Sequence, residues 1–437
     1  MIYDSVITNG IILTVNADFD IIRNGYIAIQ DGKIAEIGSD KAPPRAQNYI
    51  DAMGGVIMPG LINTHTHLPM TIFRGLADDL PLQTWLEDHI FPAEADFITP
   101  ESAYWGALLG CAEMLLSGTT TCCDGYFFED SVAEAIDAIG MRGVVGQGVI
   151  DFPAPGVPDP SSNIRTAETF VDRWLGRSSR IKPSIFCHSP YTCSGKTLQS
   201  AKAAAELRRI LFQIHVSETR DERKQIDHEH GVGPIKYLSN LKLLTPMTLL
   251  VHAVWVDEDD IGLIREANAP ISHNPQSNMK LASGIAPVHR FLREGITVGI
   301  GTDGCASNNR LDLFREIDVA AKLHKVATMD PTALSARTAL TVATFLGAKA
   351  IGWENEIGSL KVGKSADIIV IDTKQPHLTP LFSPESHLVY AARGSDVRHV
   401  FVDGRLVVKE GSLTTIDVTN VIKKVADLSK QIKNRQP

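Results

Sequence analysis

VIMPGLINTHTH, residues 56–67, is an apolar run that ends in two histidines separated by one residue. In an extended strand, side chains two apart share a face, so the imidazoles of His65 and His67 leave the strand end in one direction and can bind one ion. Seven further runs follow. GTTTCCD (118–124), MRGVVGQGVI (141–150), KPSIFCH (182–188), ILFQIHV (210–216), MTLLVHA (247–253), APISHN (269–274) and ITVGIGTD (296–303) alternate with longer helical patterns. That alternation predicts repeated βα units and a parallel sheet. Nearly every run closes on a polar or ionisable residue: after the first pair come Asp124, Asp151, His188, His215, His252, His273 and Asp303. In a (β/α)8 TIM barrel the C-terminal strand ends converge on one face, where active sites are built. An open doubly wound sheet would leave the first and eighth strands apart. The histidine distribution therefore predicts an α/β chain with a closed barrel.

Outward from the barrel the texture changes. Residues 3–58 carry short alternating runs, VITNGIILTV, GYIAIQDGKIAEIG and GGVIMPG, punctuated by Asn-Gly and Asp-Gly pairs that favour hairpin turns. The same texture returns from about 355 in IGSLKVGKSADIIVID and VRHVFVDGRLVVKEG. Both chain ends are expected to share one small β-sandwich domain. The predicted division is 1–58, first part of the sandwich; 59–354, the barrel; and 355–437, its second part, ending in an amphipathic helix over about 417–434. A length of 437 residues suits a barrel with a modest second domain.

A net charge of −9, with no lysine or arginine cluster, argues against nucleic acid as a partner. No apolar run approaches the roughly 20 residues that span a bilayer, and the N-terminus lacks a signal pattern, so a cytoplasmic location without a membrane partner is expected. Six cysteines at irregular spacing read as buried thiols. The vicinal pair Cys122-Cys123 would point to opposite faces of a strand and cannot chelate one ion.

His215 ends the fifth run and Asp303 the eighth. Together with His65 and His67 they offer three imidazoles and a carboxylate, a set suited to one divalent metal, zinc first, with iron or manganese as alternatives. Such a site still accepts a water, whose pKa the ion lowers from about 15.7 toward 7, so hydrolysis by a metal-bound hydroxide is the expected chemistry.

PGLINTHTH, HSPYTC, HVSET, VHAVW, SHNPQSNMKLASGIAP, GTDGCASNN and, after the barrel, VGKSADIIVID resemble the amidohydrolase superfamily. More narrowly they resemble its branch that deaminates 5'-methylthioadenosine, S-adenosylhomocysteine and adenosine. No lysine ends KPSIFCH, where binuclear members place a bridging lysine, so the site resembles the mononuclear type. The resemblance implies that Asp303 both ligates the metal and shuttles a proton from the water to the leaving amine. Glu218, three residues past His215, would protonate a ring nitrogen, and His252 would polarise the nucleophile or orient the substrate.

Glu94, in LEDHIFPAEA, matches the position that holds ribose hydroxyls, a task for a carboxylate accepting from two donors. Trp85 would line the pocket or pack its lid, and His188 would contact base or sugar. His273 would contact the site or brace its loop. Where homocysteine-accepting relatives carry an arginine after the third strand, this chain presents Gln147, and a neutral amide cannot pair with a carboxylate as an arginine fork does. Arg165 offers itself as a substitute. This departure favours 5'-methylthioadenosine or adenosine over S-adenosylhomocysteine. Family likeness also implies a homo-oligomer. Two rival readings remain: a deaminase or dechlorinase of a free ring such as guanine, a pterin or an s-triazine, for which Glu94 has no purpose, and a non-catalytic scaffold, which would not need all four ligands and Glu218.

Overall fold

The computed structural model describes residues 2–39 and 42–433. Eight parallel strands close into a barrel: β1 Leu61–Thr66, β2 Thr119–Tyr126, β3 Arg142–Val149, β4 Ile181–Cys187, β5 Phe212–Val216, β6 Thr248–His252, β7 Ile271–His273 and β8 Val298–Ile300. Ile300 pairs with Asn63 and so seals the seam between last strand and first. Every residue of β1, β2 and β3 is buried, as expected where helices cover the outside and side chains fill the inside.

The run that was read as one strand divides at Gly60. A Cβ there would stand 2.1 Å from the Thr120 hydroxyl, so only glycine allows the chain to pass this close to β2. Before it, Val56–Pro59 belongs to a different sheet, running parallel to Ile11–Ile12 and antiparallel to Ile368–Ile371. That one short strand joins the two chain ends. Tyr3–Leu13, Ile21–Gln30, Lys33–Ser39 and Ala46–Asp51 gather on one side of it, and Ile368–Ile371, Val397–Val402, Arg405–Lys409 and Ser412–Leu413 on the other. The expected sandwich strands thus form one continuous nine-stranded sheet. Its own core includes Ile7, Ile27, Ile34, Ile57, Ile368 and Phe401.

Arg142, at the start of β3 and 1% exposed, fastens this sheet to the bottom of the barrel. Its guanidinium donates to both carboxylate oxygens of Asp367 at 2.9 and 3.1 Å and to the Ser179 carbonyl at 3.2 Å. The C-terminal helix, predicted over 417–434, runs Val418–Lys433; residue 434 lies outside the described residues. It packs against the helix Pro100–Leu116 and sends Val425 and Ile432 into a cluster with Met70, Phe73, Trp85 and Ile90 beside the barrel mouth. All six cysteines are free and buried. Cys122 and Cys123 join different core clusters, as side chains on opposite faces of β2 must. Among the described residues no helix is long and apolar enough to cross a membrane.

Candidate active site

His65 and His67 leave the end of β1, His215 lies in β5, and Asp303 follows β8 by three residues. One ligand atom from each lies within 4.8 Å of the others. The Nε2 atoms of His65 and His215 are 3.1 Å apart, and Asp303 Oδ1 is 3.5 Å from His65 Nε2 and 3.3 Å from His67 Nε2. Burial holds His65 neutral, its pKa lowered to about 3, and depresses His215 as well. With the ring protons on Nδ1, these two neutral imidazoles aim both Nε2 lone pairs at one place. His67 donates from Nδ1 to the Gly125 carbonyl at 2.5 Å and turns Nε2 to Asp303, which raises its pKa against the opposing effect of burial; in the neutral ring that Nε2 is the free lone pair a cation could take. Converging acceptors around a carboxylate are what a divalent cation requires, and the backbone bond to the far nitrogen is the usual means of fixing a ligating histidine.

Asp303 is held on both oxygens. Gly304 N donates to Oδ1 at 2.8 Å, while Ser277 and Ser307 donate to Oδ2 at 2.7 and 3.0 Å. Asp303 has φ +62° and His252 φ +75°, left-handed conformations that cost side-chain-bearing residues on the order of 1–3 kcal/mol and cluster at functional sites. His252 points its Nε2 toward Glu218 Oε2 at 3.7 Å. Burial, reinforced by the negative charge of Asp303, pushes the Glu218 carboxyl up to about 8. Its loop is held by Glu222, whose carboxylate accepts the backbone N–H groups of Ser217 and Glu218, both at 2.7 Å. The T-x-x-E spacing of Thr219 to Glu222, a helix-start signature, was the available signal for that residue.

One cavity collects His67, His215, Asp303, Glu218, His252, His188, Glu94 and Trp85. Glu94 and Trp85 ride on the segment Leu82–Phe97, whose middle turn, Trp85–Ile90, is a π-helix. Glu94 is only 4% exposed and accepts a hydrogen bond from the Tyr126 hydroxyl at 2.5 Å; burial raises its pKa to about 7. Tyr126 was missed in the sequence, although strand alternation sets it on the face of Asp124, two residues before it. His188 is steadied through Nδ1 by Thr192 Oγ1 at 3.0 Å, and burial lowers its pKa to about 3. The remaining wall is apolar, with Leu82, Leu86, Phe91, Phe152, Pro153 and Pro155, and among the described residues no lysine or arginine lines it. The mouth continues into an outer vestibule of about 960 Å³.

Two expectations are corrected. Gln147 does not line the cavity: its amide turns to the Glu129 N–H at 3.4 Å and the Gly148 carbonyl at 3.4 Å. Arg165 is an exposed residue of the helix Asn163–Trp174 and does not replace it. Three other strand-end groups also stay outside. Asp124 accepts the Leu68 N–H at 2.6 Å, Asp151 accepts the Ser194 N–H at 2.7 Å, and His273 pairs with His324 at 3.1 Å behind β7.

Residues 56–407 match the amidohydrolase family, and the chain belongs to it. It is 48% identical over 433 residues to a 5-methylthioadenosine/S-adenosylhomocysteine deaminase of Syntrophobacter fumaroxidans, covering 98% of each chain. It is 45% identical over 430 residues to a 5'-deoxyadenosine deaminase of Methanosarcina mazei, again covering 98% of each. Among solved structures, an adenosine deaminase from Xanthomonas campestris with bound zinc superposes with a TM-score of 0.96 at 33% identity, over 99% of both chains.

Proposed function

We propose that the barrel, residues 59–354, carries the hydrolytic deamination of an adenosine-type nucleoside to its inosine analogue and ammonia, with segments 1–58 and 355–437 as the flanking sheet domain. The carrying observation is a single cavity lined at once by members of the histidine–aspartate group, by Glu218 and by the buried Glu94. The names of the three relatives given above, each a deaminase of adenosine or of a derivative of it, agree with it.

In this reading His65, His67, His215 and Asp303 hold one divalent metal, zinc first, which would supply Lewis-acid activation of water at neutral pH. Asp303, its Oδ2 fixed by Ser277 and Ser307, takes the proton of the attacking water and returns it to the departing amine. Glu218, protonated at neutral pH because burial raises its pKa, donates to the ring nitrogen next to the attacked carbon. Glu94 accepts from the ribose hydroxyls, His188 and Trp85 shape the sugar side, and the apolar wall of Leu82, Leu86, Phe91, Phe152 and Pro153 receives the 5' substituent.

Among the described residues no cationic side chain lines the inner wall, so a small apolar 5' group as in 5'-deoxyadenosine or 5'-methylthioadenosine is favoured there, while the cations that could meet the carboxylate of S-adenosylhomocysteine, Arg220 and Lys280, line only the outer vestibule. Ammonia release from a panel of these nucleosides, adenosine, guanine and an s-triazine tests the assignment. Expected is activity on nucleosides, highest for those with apolar 5' groups, and a loss in Glu94→Ala on the order of 100-fold or more in kcat/KM, as for removal of a buried polar partner. Activity confined to free bases or triazines, or one equal loss across nucleosides and bases, would remove the nucleoside assignment.

A further inference from the structure

The motif SHNPQSN, residues 272–278, contributes neither a metal ligand nor a cavity-lining side chain to the account above. It forms the end of β7 and the first turn of the helix Pro275–Lys280, with Asn274 at its N-cap. Positions 274, 277 and 278 stand i, i+3 and i+4, one face of a helical turn. All three face the reacting groups. The Asn274 and Asn278 side-chain amides donate from Nδ2 to the same ring nitrogen, His252 Nδ1, at 3.2 and 3.0 Å. Ser277 donates to Asp303 Oδ2 at 2.7 Å.

We propose that this turn is a positioning device: Asn274 and Asn278 hold His252 as the tautomer protonated on Nε2, while Ser277 fixes the carboxylate of Asp303. His252 then presents a hydrogen-bond donor to the reacting centre and is never its base. An amide nitrogen only donates, and a neutral imidazole nitrogen that accepts carries no proton, so the one ring proton sits on the other nitrogen. That nitrogen, Nε2, faces Glu218 Oε2 at 3.7 Å across the cavity. The Asn274 amide is oriented from behind: its Oδ1 accepts from Ser272 Oγ at 3.3 Å, and that hydroxyl pairs with Thr64 Oγ1 at 2.7 Å on β1. The Asn278 oxygen is buried without a partner among the described residues, so its orientation follows from Asn274, which already presents a donor to Nδ1.

The opposite face of the turn is anchored. Gln276 donates from its backbone N–H to Glu316 Oε2 at 3.2 Å and from Nε2 to Oε1 at 2.7 Å. Asn308 donates to the same Oε1 at 2.6 Å and to the Thr302 carbonyl at 2.7 Å. One buried carboxylate, Glu316, therefore ties the turn to the segment that carries Asp303, and the two reacting side chains are placed by one rigid piece.

The proposal rests on the deaminase reading only for the reaction it serves; the tautomer is a property of the resting enzyme. Neutron diffraction from deuterium-exchanged crystals of the metal-loaded enzyme should find deuterium on Nε2 of His252 and none on Nδ1. Deuterium on Nδ1 would overturn it, whatever the substrate proves to be. In the metal-loaded enzyme, Asn278→Asp places an acceptor against Nδ1 at nearly constant size, and should lower kcat on the order of 100-fold with KM changed less than about threefold. Asn278→Ala leaves Asn274 in place and should cost about tenfold. Both should keep a full complement of metal and the parent's affinity for it in competition with a chelator. A packing role predicts the reverse order, the isosteric aspartate being the milder change, and that result would refute the proposal.

Discussion

In the proposed reaction Glu218 has to be an acid where ordinary glutamates are anions. Burial and the neighbouring Asp303 charge move its pKa to about 8, so the protonated form is populated through neutrality and is lost as pH rises through that value. The alkaline limb of kcat/KM should therefore fall near that pH. Glu218→Gln keeps the shape and removes the transferable proton. We expect kcat to drop on the order of 10²–10⁴-fold, with the alkaline limb gone from what activity remains. A variant within a few-fold of the parent would take the acid role from this residue. Glu94 is the complementary case: burial raises its pKa, the Tyr126 hydrogen bond draws it partly back, and the balance stands at about 7.

At the scale of elements, each reacting side chain is held by something outside the reaction. The loop after β5 hangs on Glu222, the loop after β8 on Ser277 and Ser307, and β6 ends in the strained turn of His252. The sheet and the barrel meet at Arg142 and Asp367, both nearly inaccessible to water. Removing one member of a buried pair leaves an uncompensated charge, which costs far more than the pair's net worth. Asp367→Ala should lower the unfolding free energy by about 3–5 kcal/mol in a denaturant titration. The kcat/KM of the folded fraction should stay near the parent's, because the pair lies at the barrel's opposite end from the metal group. A loss of stability within about 1 kcal/mol of zero would show that the Ser179 carbonyl and Asp403, whose Oδ1 stands 3.3 Å from Arg142 Nη2, already compensate the guanidinium.

The whole molecule is a barrel whose chemistry is written at its strand ends, and that is why so much of it was legible. The runs of β1, β5 and β8 stop on or beside the residues they deliver, so they could be matched to His65, His67, His215 and Asp303 before any distance was known. Closure followed from requiring those ends to meet. The continuous sheet was not legible, because Val56–Pro59 pairs with Ile368–Ile371 across some three hundred residues and nothing local marks that partner. Gln147 was misplaced because counting along β3 gives a position and not the direction of a side chain that has bonded to Glu129 and Gly148 instead. The neutral braces Ser277, Ser307, Asn274 and Asn278 carry no charge, and the motifs that hold them do not say what each one touches; Tyr126 is marked only by sharing a strand face with Asp124. Only their bonds to Glu94, Asp303 and His252 identify them.

The most direct test of the central claim follows the oxygen. Metal-quantified enzyme turning over 5'-deoxyadenosine or 5'-methylthioadenosine in ¹⁸O-enriched water should yield one ammonia per nucleoside and an inosine analogue bearing one ¹⁸O on its purine ring. The same enzyme stripped of metal should yield neither. Free adenine from cleavage of the glycosidic bond, or a nucleoside returned unchanged by the metal-loaded enzyme, would contradict the account.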